Sequence, residues 1–110
     1  EDATWWIKNR GGLAIPSHSD SPTFSVISQL GFVPADLPFD ALEVRDITKI
    51  PDLQPLIPRT DVPFVTFSDA HYPGDIGRRK TVLTMDRPTC REAERALKAL
   101  SGSEPVVHSL

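Results

Sequence analysis

The stretch Pro63-Phe64-Val65-Thr66-Phe67-Ser68-Asp69-Ala70-His71-Tyr72-Pro73-Gly74-Asp75-Ile76-Gly77 decides how this chain is read. It opens on apolar, β-branched and aromatic residues, and that composition predicts a buried strand over residues 63–67. It then switches to polar groups, proline and glycine, which predicts a loop over 68–77. In α/β proteins, ligands gather at the C-terminal ends of such strands. Asp69 and His71 stand there together, and in extended backbone residues two apart point the same way. A carboxylate and an imidazole on one side suit a metal ion, since zinc takes both His nitrogen and carboxylate oxygen. Two solvated loop side chains fit the short Asp-x-His spacing equally well.

Outward from this stretch the pattern repeats. Residues 41–45 alternate, with Leu42 and Val44 on one face and Glu43 and Arg45 on the other, which predicts a second strand. Residues 12–15 read as a short apolar strand closed by Pro16, and the polar loop after it carries His18 at another strand end. A further strand is expected over 81–85. Residues 3–10 predict a helix stopped by Gly11-Gly12. Thr23 or Ser25 can cap a short helix through Leu30, and 33–39 is expected to be irregular. Residues 48–57 are expected to be a short or broken helix, because Pro51 and Pro55 interrupt it. The strongest helix is 90–100: Cys90, Ala93, Leu97 and Leu100 form one apolar stripe, Thr89 and Glu92 form a capping box, and Gly102 can stop it. The tail from 104 to 110 can add a last strand through Val106 and Val107. Strands alternating with helical connections predict parallel α/β packing.

Composition bounds the function classes. The chain has 110 residues, 39% hydrophobic and 25% charged, which is ordinary for one folded domain or a piece of one. No apolar run approaches the roughly 20 residues that span a bilayer, so no membrane association is expected. A net charge of −3 argues against charge-driven wrapping of nucleic acid. The single cysteine allows no internal disulfide, and a cytoplasmic location is the default expectation. Proline is abundant, 11 residues, without low complexity, which points to many defined segment ends. The chain starts at Glu1 rather than Met, as expected of a processed chain or an excised fragment.

Two stretches together resemble a known family. Ser68-Asp69-Ala70-His71-Tyr72-Pro73-Gly74-Asp75-Ile76-Gly77 is similar to the last motif of the polymerase-and-histidinol-phosphatase (PHP) family of metal-dependent phosphoesterases. Gly11-Gly12-Leu13-Ala14-Ile15-Pro16-Ser17-His18 resembles the motif before it, with Ser17 where alanine is usual. Asp40-Ala41-Leu42-Glu43-Val44 is similar to the strand between them. The resemblance implies metal ligands at His18, Asp69 and His71. It also implies a divalent transition metal, with zinc, manganese and iron all compatible with mixed His and carboxylate ligation. The implied fold is a partial (β/α) barrel of the PHP type, with largely parallel strands and flanking helices. Residues 1–102 would be the C-terminal part of a PHP-like domain and 103–110 a tail. The family's early motifs, a His-x-His and a later Glu and His, do not occur in this sequence. The chain is therefore expected to carry only the C-terminal half of the active site, with little activity alone, and to need the missing N-terminal part of the same domain as a partner. The implied substrate is a phosphorylated small molecule or a nucleotide.

Other residues carry paired readings. Arg45 can bind phosphate from an inward barrel face or simply meet water. Arg78, with Arg79 and Lys80, can meet a phosphate or form a solvated charge run. Asp20 is a further ligand or a solvated loop residue, and Asp75 is expected to cap the turn at Ile76-Gly77. Cys90 is expected in the core. Of Trp5 and Trp6, one is expected to pack on the core and the other to be exposed. The rival reading is a non-catalytic α/β structural or interaction module whose open strand edges drive self-association, as a homodimer for example.

Overall fold

A computed structural model describes residues 2–20, 38–57, 62–100 and 107–109 of the chain. The helix expected over 23–30 and most of the irregular segment 33–39 lie outside the described residues. Helix α1, Asp2–Asn9, ends as the sequence predicts. Gly11 takes φ +77°, where a side chain is disfavoured, and its N–H donates to the Lys8 carbonyl while Gly12 donates to that of Ile7. Both Trp5 and Trp6 are exposed, at 48% and 59%, contrary to the expectation that one would pack on the core. Ile7 is the residue of α1 that reaches it, and Trp6 instead lies under the Arg10 guanidinium, 4.0 Å from the ring centre.

Strands β1, Leu42–Glu43, and β2, Phe64–Val65, pair in parallel with Leu42 opposite Phe64. The Leu42 N–H donates to the Pro63 carbonyl at 3.0 Å and the Val44 N–H to that of Val65 at 2.9 Å. Both are shorter than predicted. Residues 12–15, predicted as a strand closed by Pro16, are instead extended chain that runs with Pro16 alongside β1. The Asp40 N–H donates to the Ala14 carbonyl at 2.9 Å and the Glu43 N–H to that of Pro16 at 3.0 Å. The Ala14 N–H, however, goes to the Asp40 side chain at 2.7 Å, so a carboxyl group replaces the next rung of a ladder. Alternation survives: Ala14 packs in one core cluster, and Leu13 and Ile15 in the other.

The connection between β1 and β2 is broken as predicted. A 3₁₀ turn, Ile47–Lys49, leads into the short helix α2, Ile50–Leu53, and then another 3₁₀ turn, Gln54–Leu56. Pro51 and Pro55 each sit at the start of a new piece, where a missing N–H has no partner to lose. This connection covers one face of the strands: Leu53 and Ile57 pack with Leu42, Val44 and Phe64. Helix α3, Cys90–Leu100, covers the other, where Leu97 packs with Ala41 and Val65. Burial on both faces explains why residues 62–66 read as a continuous buried run.

Helix α3 has its predicted bounds, and the Glu92 N–H donates to the Thr89 hydroxyl at 3.2 Å. Its buried residues are Ala96 and Leu97. Cys90, predicted in the core, is exposed, because it begins the helix and the stripe meets the core only further along. The strand predicted over 81–85 falls earlier. Strand β3, Arg79–Thr81, pairs antiparallel with β4, Val107–Ser109. The molecule is thus mixed α/β, with a two-stranded parallel sheet and three helices among the described residues, and its second strand pair departs from the largely parallel arrangement predicted. The Thr81 hydroxyl joins the two pairs, accepting from the Thr66 N–H and donating to the Thr66 carbonyl, both at 2.9 Å. Among the described residues no helix is long and apolar enough to cross a membrane.

Candidate metal centre

The extended segment 12–16, β1 and β2 run in the same direction, so their C-terminal ends open at one edge. His18 follows the first and Asp69 the last. Their side chains meet there, with His18 Nε2 3.9 Å from Asp69 Oδ2. Both are half-buried, and both hold left-handed backbone, φ +52° at His18 and +50° at Asp69. A residue with a Cβ spends about 1–2 kcal/mol to stay in that region. Such strain persists only where surrounding bonds enforce it.

Those bonds are visible on each side. The His18 N–H donates to Glu43 Oε2 at 2.5 Å. Around Asp69, two arginines grip the backbone. Arg78 Nε donates to the Ser68 carbonyl at 2.8 Å and Arg78 Nη2 to that of Asp69 at 3.4 Å. Arg79 donates to the Phe67 and Ser68 carbonyls at 3.0 and 3.2 Å. The Ser68 hydroxyl closes the loop, donating to the Arg79 carbonyl at 3.0 Å and accepting from the Gly77 N–H at 2.7 Å.

His71 sits beside this pair without joining it. Its Nδ1 lies 2.9 Å from the Asp69 carbonyl oxygen, and its N–H donates to Asp75 Oδ2 at 3.3 Å. The ring is exposed and turned onto the backbone of its own loop. Among the described residues, no set of three His, Cys, Asp or Glu side chains converges as a ready metal cage. Metal bonds of about 2.0–2.2 Å put neighbouring tetrahedral donors roughly 3.4 Å apart. The His18–Asp69 pair, at 3.9 Å, therefore fits one ion after a small closure, and a third donor requires the His71 ring to turn.

The remaining candidates fall into place by their contacts. Arg45 is exposed while Glu43 is buried, so the two do not share the face that alternation predicts. The strand ends at Glu43, and the period of two ends with it. Arg78 is committed to the Ser68 and Asp69 carbonyls and stands 3.5 Å from Asp75, so its first task is holding the loop. Asp20 is a clasp: its carboxyl oxygens accept the N–H groups of Arg45 and Asp46 at 2.8–3.1 Å. Glu43, which alternation sets on the face opposite Leu42 and Val44, is buried as they are. It is 4% exposed, and the signal was available as a lone acid between Leu42 and Val44 in an apolar run. No protein-family model, no curated protein and no solved structure matches this chain.

Proposed function

We propose that this chain carries the C-terminal ligands of a PHP-type metal-dependent phosphoesterase, within a partial (β/α) barrel. The observation that carries this reading is the meeting of His18 and Asp69, from separate loops, at one strand edge and in strained backbone. His18 and Asp69 hold a divalent transition metal, zinc, manganese or iron, and His71 joins them by swinging off the Asp69 carbonyl. A bound divalent ion supplies a Lewis acid for phosphoryl oxygen and a water of lowered pKa. Arg78 and Arg79 keep the Asp69 loop fixed through its carbonyls. Arg45, exposed just past β1, is placed to meet a phosphate from solvent. The substrate class is a phosphorylated small molecule or nucleotide, and the other ligands come from the N-terminal part of such a domain.

Equilibrium dialysis of the metal-stripped chain against zinc, manganese and ferrous ions tests the ligands. Saturable binding is expected, weakened at least tenfold, about 1.4 kcal/mol, by His18→Ala or Asp69→Ala. Inorganic phosphate is expected to bind the loaded chain and not the stripped one. Absence of saturable metal binding sinks the reading, and phosphate binding that ignores the metal sinks its phosphoesterase part. Robust hydrolysis of a phosphomonoester by this chain alone overturns the half-site.

A further inference from the structure

Glu43 is an acid in the core, and nothing in the proposed ligand set uses it. Its side chain is 5% exposed, and its Oε1 is buried without a hydrogen-bond partner. Its other oxygen, Oε2, addresses one residue twice. It accepts the His18 N–H at 2.5 Å and lies 3.5 Å from His18 Nδ1. That second distance is long for a hydrogen bond, and Nδ1 is itself buried with no other partner. The two nitrogens of the ring therefore face different acids. Nδ1 looks inward to Glu43, and Nε2 looks outward to Asp69 at 3.9 Å. Because Glu43 lies on the Nδ1 side, it is badly placed to share an ion with Nε2 and Asp69. It is well placed to orient the ring.

We propose that Glu43 is a positioning residue for His18: its carboxyl group holds the backbone and the Nδ1 edge of that histidine, so that Nε2 is presented bare beside Asp69. A neutral imidazole carries one proton, and the nitrogen that faces an acceptor keeps it. Both ring nitrogens face a carboxyl group, and Glu43 Oε2 is the nearer, 3.5 Å from Nδ1 against 3.9 Å between Asp69 Oδ2 and Nε2, so the proton falls to Nδ1 and the lone pair to Nε2. Histidines that bind metals are commonly oriented in this way, by a carboxylate on the nitrogen away from the ion. A purely structural tie to the His18 N–H needs only one acceptor oxygen, and leaves unexplained why the same oxygen also faces the ring. The inference rests on the reading of His18 as a ligand, but the ring's proton can be located without any metal.

Nitrogen-15 NMR of the histidine rings in the metal-stripped chain, with His18→Ala to assign the signal, reads the tautomer directly. In the native chain His18 is expected as the Nδ1–H form. Glu43→Leu is expected to move it to Nε2–H and to lower zinc affinity about 10–100-fold. Glu43→Gln keeps an acceptor oxygen and is expected to retain both the tautomer and most of the affinity. An Nε2–H ring in the folded native chain overturns the proposal, as does a folded Glu43→Leu chain with unchanged zinc affinity. If Glu43→Leu does not fold, the native tautomer decides alone. If the native ring is Nδ1–H and the chain binds no zinc, the hold of Glu43 on the ring stands and the ligand reading of His18 falls.

Discussion

His18 and Asp69 occupy backbone that glycine would enter freely. Each therefore carries a backbone cost that glycine would not. Asp69→Gly should stabilise the chain by about 1 kcal/mol, since it relieves a left-handed residue and leaves the Asp69 carbonyl contacts intact. The same substitution should abolish zinc binding. Urea unfolding of the two chains checks the first half, and a loss of stability would show that the Asp69 side chain holds the fold. At this scale the sequence singles out residues that lie within one short motif. His18, Asp69 and His71 stand out in Ser17-His18 and Ser68-Asp69-Ala70-His71. Glu43 did not, because its role is a contact with His18 made across 25 positions of chain, and no local window contains both.

Elements were legible in proportion to how local their causes are. Helix α3 is written in its own residues: a capping threonine, an apolar stripe and bounds at 90 and 100. Which part of the stripe is buried is not written there. Leu97 is 2% exposed and Cys90 is at the surface. Leu97→Ala should therefore cost about 2–5 kcal/mol, whereas Cys90→Ala should stay within about 0.5 kcal/mol. Denaturant midpoints of the two variants measure this, and equal losses would place Cys90 in the core after all. The strands were less legible. The predicted run 63–67 overshoots because Phe67 is 43% exposed, its carbonyl already taken by Arg79. Residues 12–15 have a strand's alternation but not its ladder, because the Asp40 carboxyl intervenes.

Across the whole molecule, one lysine ties the start of the chain to both the sheet and the last helix. Lys8 Nζ lies 2.8 Å from Asp40 Oδ1 and 3.6 Å from Glu94 Oε1. Burial works against the charge on Lys8, but the hydrogen bond and charge of Asp40, with Glu94 behind them, raise its pKa overall. The Lys8 charge is the main cause that lowers the pKa of Glu94, with a hydrogen bond from Lys98 adding to it. The signs give opposite edges. The raised lysine stabilises the fold below its ordinary value of 10.5, and that contribution is lost as pH rises through its folded value. The lowered glutamate stabilises above its ordinary value of 4.5, and its contribution is lost as pH falls through its folded value. Lys8→Met should flatten the acid edge as well as the alkaline one in a series of urea midpoints against pH. A variant with the native acid edge would show that Glu94 does not depend on Lys8.

Local chemistry by itself determined helix α1 and its glycine stop, helix α3, the proline-broken connection over 47–56 and the buried run ahead of the Asp69 loop. Each follows from residues within a turn or two of one another, where propensity, capping and period act directly. Only the tertiary structure decided that residues 12–16 lie beside β1, that β3 finds an antiparallel partner, and that Glu43 is enclosed while Arg45 is not. It also decided how the candidate residues sit: His18 and Asp69 meet, His71 turns aside, and Arg78 spends its donors on carbonyls. These are pairings of distant residues under competition for the same hydrogen-bond acceptors and the same small core. Which partner wins is a property of the packed molecule, because each buried donor must be satisfied by whatever the fold brings within reach.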